Sequence, residues 1–128
     1  AIPAVKGIEF GDGFKLSELR GSEARDEYFI SDGKIALTSN HNGGILGGIS
    51  TGEAVNFRVC IKPTPSISIP SKSVSYSRGE NVELKISGRH DPCIALRAVP
   101  CVEAAAAIAV LDLMLGDINF SGRFVFND

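Results

Sequence analysis

Ala54-Val55-Asn56-Phe57-Arg58-Val59-Cys60-Ile61-Lys62 alternates apolar and polar side chains, with Val55, Phe57, Val59 and Ile61 on one side and Asn56, Arg58, Cys60 and Lys62 on the other. A period of two marks a strand with one face on a core and one toward water. Pro63 and Pro65 end it, because proline withholds ladder donors and fixes its backbone angle. Upstream, the same period runs through Val5–Phe14, where Gly7, Gly11 and Gly13 permit bends. It recurs in a short strand, Lys34–Thr38, after the turn Ser31-Asp32-Gly33. Downstream, Ser73–Ser77 and Val82–Ser87 flank Arg78-Gly79-Glu80-Asn81, which suits a hairpin connection. The charged stretch Lys15–Tyr28 is compatible with a short helix, although its composition favours a solvated loop.

The period changes once. Pro100 suits the first turn of a helix, Ala104–Ala107 and the following Ile108, Val110, Leu111, Leu113 and Met114 continue it, and Gly116 suits its end. Apolar residues lie nearly all round this helix, which predicts burial on most sides. The apolar stretch Ile94–Leu115 is interrupted by Arg97, Pro100, Glu103 and Asp112, so it reads as a buried helix and not as a membrane span. The tail Asp117–Asp128 resumes alternation and reads as a final short strand. Strands that do not alternate with helices exclude a doubly wound parallel sheet, and the expected class is α+β, with antiparallel strands packed on a long buried helix.

The 128 residues suffice for a single domain spanning 1–128. Apolar residues make up 44%, charged residues 22%, and the net charge is -2, which excludes a disordered chain and a strongly basic nucleic-acid binder. Any anionic ligand must be small and met by a few placed cations. Cys60, Cys93 and Cys101 are odd in number and lack a paired spacing, pointing to reduced thiols in a cytosol-like compartment. Neither His41 nor His90 stands at ligand spacing from them, so no metal site is expected. Ala1–Lys6 lacks the basic-then-apolar layout of a secretory leader. A strand-like start without Met is what a fragment of a longer chain would show.

Three segments could carry chemistry. Ser39–Gly52 holds five glycines in fourteen positions, through Gly43-Gly44 and Gly47-Gly48. Such a run lets backbone N–H groups approach a flat ring or a phosphate, and it also suits a flexible loop between strands. Lys62-Pro63-Thr64-Pro65-Ser66 offers a cation, two hydroxyls and a rigid backbone, equally a phosphate cradle or a stiff strand exit. Arg89-His90-Asp91-Pro92 groups a fork for anions, a titrating imidazole and a proton acceptor, or else a turn with a salt bridge.

Taken in order, these segments resemble the chorismate synthase family. The matching stretches are I-P-A-V-K-G-I-E-F-G-D-G-F, S-N-H-N-G-G-I-L-G-G-I-S-T-G, I-K-P-T-P-S-I and G-R-H-D-P-C-I-A-L-R-A-V-P-C-V-E-A, from Ala1 to about Leu115. The resemblance implies part of that family's β-α-β sandwich fold and the carboxy-terminal portion of its longer chain. It also implies a cytoplasmic, homotetrameric lyase of the shikimate pathway and aromatic amino acid biosynthesis. Such an enzyme converts 5-enolpyruvylshikimate 3-phosphate into chorismate and phosphate by 1,4-elimination, without net redox change. Its cofactor is reduced FMN, making it a flavoprotein, with reduction by a separate reductase or by an intrinsic NADPH activity that would use NADP. Gly47 would lie against the flavin, and Lys62, Pro63, Thr64, Pro65 and Ser66 would wrap its phosphate and ribityl chain. Arg89 would contact the flavin or the substrate's anionic groups, and Asp91 would manage the substrate proton near the flavin N5. No nucleic acid or membrane partner is implied. The amino-terminal histidines and arginines of the family are absent from this chain, so the isolated chain is expected to be inactive. The alternative is a non-catalytic flavin- or phosphate-binding module.

Overall fold

Why the chain pairs as it does is clearest at β1, Val5–Phe10, and β6, Phe57–Ile61, which run antiparallel. The computed structural model describes residues 2–116. In the β1–β6 pair Ile8 faces Val59 and Phe10 faces Phe57, whose rings lie 5.7 Å apart, while Glu9 and Arg58 pair on the opposite face at 2.9 Å. The register slips between Val5 and Gly7. That one-residue bulge brings Val5 opposite Ile61, on the same face as Val59 and Phe57, although its spacing from Ile8 has the wrong parity. The strand expected over Ala54–Lys62 is therefore shorter than its alternation. The strand expected over Val5–Phe14 stops at Phe10, and a 3₁₀ turn, Gly13–Glu18, occupies part of the stretch favoured as a loop.

β2, Tyr28–Ser31, and β3, Lys34–Leu37, form a hairpin around Asp32 and Gly33, both at positive φ (51° and 75°). Two left-handed residues are what a tight hairpin turn with native twist requires. β4, Ile45–Leu46, and β5, Ile49–Ser50, repeat the device around Gly47 and Gly48 at 60° and 81°.

β7, Ser71–Ser75, and β8, Glu80–Leu84, pair two residues upstream of the expected hairpin. Gly79 is the residue with left-handed φ, and its N–H reaches the Ser75 carbonyl at 2.8 Å, so the turn closes before Glu80 and Asn81, which join the strand. α1, Ala95–Gly116, is the long helix expected, but it begins five residues before Pro100. Proline then sits inside the helix and leaves the Leu96 carbonyl without its usual donor. The expected final strand, 117–128, lies outside the described residues.

The architecture is α+β, four antiparallel strand pairs and one helix. Contacts cluster into two units, one from Pro3 to Lys62 and one beginning at Pro63. Burial is where the expectation fails. Among the described residues no apolar side chain is buried, and on α1 Leu96, Ile108 and Leu113 are 82%, 68% and 75% exposed. A helix apolar all round needs cover on several sides. Within its unit the other regular element among the described residues is the β7–β8 hairpin. By length and composition α1 is apolar enough to cross a membrane. It also carries Glu103 and Asp112, which are costly in lipid.

Candidate functional site

In the first unit the glycine segment is not a free loop. The register of the β2–β3 hairpin continues past its strands, with Thr38 N–H donating to the Glu27 carbonyl at 2.9 Å, and so sets Asp26 opposite Ser39. The Asp26 carboxylate gathers the chain that follows. Oδ1 accepts Ser39 Oγ (2.6 Å) and the His41 N–H (2.8 Å), and Oδ2 accepts the Asn42 N–H (3.0 Å) and Asn42 Nδ2 (2.8 Å). Partial desolvation pushes the Asp26 pKa up, but these donors outweigh it and hold it at about 2, against an ordinary 3.8. The Asn40 amide bridges forward, accepting from Gly44 N–H (2.6 Å) and donating to the Ala54 carbonyl (2.9 Å). Asp12 Oδ2 lies 2.7 Å from His41 Nδ1, and that hydrogen bond lowers the Asp12 pKa.

These bonds converge on Gly43 and Gly44, the buried residues among those described. Both have left-handed φ, and a Cβ on Gly43 would strike the backbone of Gly11, one on Gly44 the Ala54 carbonyl at 2.7 Å. Beyond this crossing, the β4–β5 hairpin presents Gly47 and Gly48, where an added Cβ meets nothing within 4 Å. Gly47, the residue expected against a flat ring, thus offers bare backbone with open space above it. Lys62 follows β6 directly, its N–H donating to the Ala4 carbonyl at 2.8 Å and its side chain exposed.

In the second unit the structure joins two segments that sequence spacing kept apart. Ser66 Oγ lies 3.1 Å from His90 Nδ1, bringing 63–66 to 89–91. Thr64 Oγ1 is buried with no hydrogen-bond partner, an unsatisfied group of the kind a ligand would complete. Pro63 and Pro65 are exposed, and the Pro65 carbonyl accepts the Ile67 N–H at 3.1 Å. Arg89 is exposed. The residue paired with Asp91 is not Arg89 but Arg97, in the first turn of α1, at 3.0 Å. Asp91 is 32% exposed and Arg97 82%, so water screens much of their attraction and the pair acts to orient the carboxylate. Within this unit the orphaned Thr64 hydroxyl beside Ser66 is a donor set whose chemistry fits a phosphate-bearing cofactor.

Sequence reasoning missed Asp26, Asn40 and Arg97. For Asp26 the signal was present: Asp32-Gly33 is the midpoint of a hairpin, and reflecting through it sets 26 against 39. Nothing comparable announced Arg97.

A protein-family model described as chorismate synthase matches residues 1–115. The chorismate synthase of Archaeoglobus fulgidus is 53% identical over 114 residues, covering 89% of this chain and 32% of the relative. That of Methanococcus maripaludis is 54% identical over 120 residues, covering 92% and 32%. A crystal structure of chorismate synthase aligns with a TM-score of 0.48 and 42% identity over 51% of this chain and 20% of that one. The chain spans about a third of the length of the relatives it matches (32% for each of these two).

Proposed function

The chain belongs to the chorismate synthase family, and from that premise we propose that it forms the carboxy-terminal portion of an enzyme converting 5-enolpyruvylshikimate 3-phosphate into chorismate and phosphate. The observation that carries the reading is the buried, unpartnered Thr64 hydroxyl within Lys62-Pro63-Thr64-Pro65-Ser66. An orphaned donor costs stability unless something completes it, and a phosphate oxygen does so well.

Each residue then has a task. Lys62 supplies a point charge to the cofactor phosphate, and Thr64 and Ser66 donate hydroxyls to it. Pro63 and Pro65 hold that segment rigid, so little entropy is lost on binding. Gly47 admits the ring by having no side chain. Arg89 offers a planar fork to the flavin or to substrate carboxylate and phosphate. Asp91, oriented by Arg97, accepts the proton that leaves as the carbon–oxygen bond to phosphate breaks. Reduced FMN held by these residues would supply transient electron density to the elimination, without net redox change. The enzyme works in the cytoplasm as a homotetramer on a small-molecule substrate. Its flavin is reduced by a separate reductase or with NADPH, and the rest of the enzyme, not lipid, covers α1.

The test is an FMN titration of the full chain and its Lys62→Ala variant, followed by flavin fluorescence. Losing a charge-assisted hydrogen bond to phosphate raises Kd by about tenfold or more. An unchanged Kd removes Lys62 from the cradle and the reading with it.

A further inference from the structure

We propose that Asp26 is a positioning residue for the flavin-facing hairpin, gathering residues 39–42 so that β4–β5 projects in one fixed direction from the Gly43–Gly44 crossing. This rests on the reading that Gly47 meets the flavin. The hairpin itself is too short to set its own direction: it has two cross-strand pairs, Ile45 with Ser50 and Leu46 with Ile49. An isolated two-stranded ribbon is marginal even when longer. Its direction must come from its base, and the base is tied down on both sides. On one side, Thr51 N–H donates to the Gly44 carbonyl at 3.0 Å and Asn56 N–H to the Gly43 carbonyl at 3.2 Å. On the other, Asp12 ties His41 through its N–H to the His41 carbonyl at 2.9 Å and its carboxylate to His41 Nδ1. Asp26 makes the largest set of bonds there, its two oxygens each taking two donors from Ser39, His41 and Asn42.

A carboxylate suits this task and a carboxamide does not. All four partners donate to the carboxylate, and in either orientation a side-chain amide of the same size would turn its NH₂ group toward a backbone N–H, that of His41 or of Asn42, which cannot accept. Asp26→Asn therefore keeps the volume but sets donor against donor, and the segment has to swing away. Neither Asp12 nor Asn40 replaces it. Asp12 holds the far side of His41, and Asn40 clasps Gly44 to Ala54 only after the chain has been delivered to that point.

The experiment uses the full chain. Amide hydrogen exchange without FMN should show residues 40–50 losing protection in Asp26→Asn while β1 and β6 keep theirs, and the FMN Kd should rise about tenfold. Ser39→Ala, which removes one of the four bonds, should give the same changes in smaller measure and serves if the first variant does not fold. Unchanged exchange at 40–50, or loosened exchange with an unchanged Kd, overturns the proposal. FMN-induced protection of residues 45–50 in the unsubstituted protein tests the underlying reading separately. Its absence sinks that reading and the proposal together; its presence beside an unchanged Asp26→Asn Kd sinks the proposal alone.

Discussion

Replacing Thr64 by valine should make the flavin-free protein more stable and its flavin binding weaker. The two effects share one cause. Thr64 Oγ1 is buried without a partner, and an unsatisfied buried hydroxyl costs about 1–3 kcal/mol. Valine keeps the branched shape and removes the polar atom, and because Thr64 is only half-buried the lower end applies, a gain of about 1 kcal/mol for the free protein. In the complex the hydroxyl would donate to the cofactor phosphate, and its loss forfeits about another 1 kcal/mol. Both changes reduce the binding free energy, so they add to about 2 kcal/mol, roughly thirtyfold in Kd. Urea unfolding without FMN measures the first effect and a fluorescence titration the second. A variant that is less stable without flavin, or that binds flavin as tightly as before, would refute the assignment of Thr64 as a ligand group held in waiting.

Asp91→Ala should cut turnover by about a hundredfold or more, the usual worth of a proton-transfer group, while flavin affinity moves little. Parallel loss of both in stopped-flow and titration would count against a proton role. Gly44→Ala and Gly48→Ala form an internal pair, since both glycines have φ near 80° but only Gly44 lies against backbone. Left-handed strain alone costs about 1–2 kcal/mol, and Gly44→Ala should exceed Gly48→Ala by about 1–3 kcal/mol more in denaturant unfolding. Equal costs would deny the close approach. Asp26 is an acid with a depressed pKa, so its stabilisation is complete above its ordinary 3.8 and is lost as pH falls toward about 2. The acid limb of stability between those values should be shallower in Asp26→Asn, and an unaltered limb would show that the carboxylate is not held in the folded state.

What could be read in advance was whatever depends on neighbours in sequence. The alternation around Phe57–Ile61 gave β6 and the Ser31-Asp32-Gly33 turn gave β3 after it, because period and left-handed turn chemistry are local properties. By contrast β2, Tyr28–Ser31, and the hairpin it makes were not foreseen next to a charged stretch that favoured a loop. The β7–β8 hairpin was misplaced by two residues, since Arg78-Gly79-Glu80-Asn81 supplies polar turn candidates throughout and only the φ of Gly79 decides among them. The start of α1 was set too late because Pro100 is a familiar first-turn residue, yet the helix carries it inside. Burial of α1 was inferred from its composition, which says what the helix needs and not what the described residues supply.

The site divides along the same line. Gly47, Lys62–Ser66, Arg89 and Asp91 came from words in the sequence, and Ser66 meeting His90 is what brings two of those words together. Asp26 lies 13 to 16 residues from the groups it binds, a distance that only a register carried through the hairpin can bridge. Arg97 stands on α1 at no informative spacing from Asp91, and its role is legible only in three dimensions.

The central claim is that this segment belongs to a flavin-requiring, phosphate-eliminating lyase, and one anaerobic assay tests it most directly. The complete enzyme of which this chain forms the carboxy-terminal portion is incubated with 5-enolpyruvylshikimate 3-phosphate, with and without reduced FMN, and chorismate and phosphate are measured together. Equal amounts of both products, formed only when reduced FMN is present and with no flavin oxidised, is the predicted result. Phosphate released without chorismate, or product formed at the same rate without flavin, would contradict it.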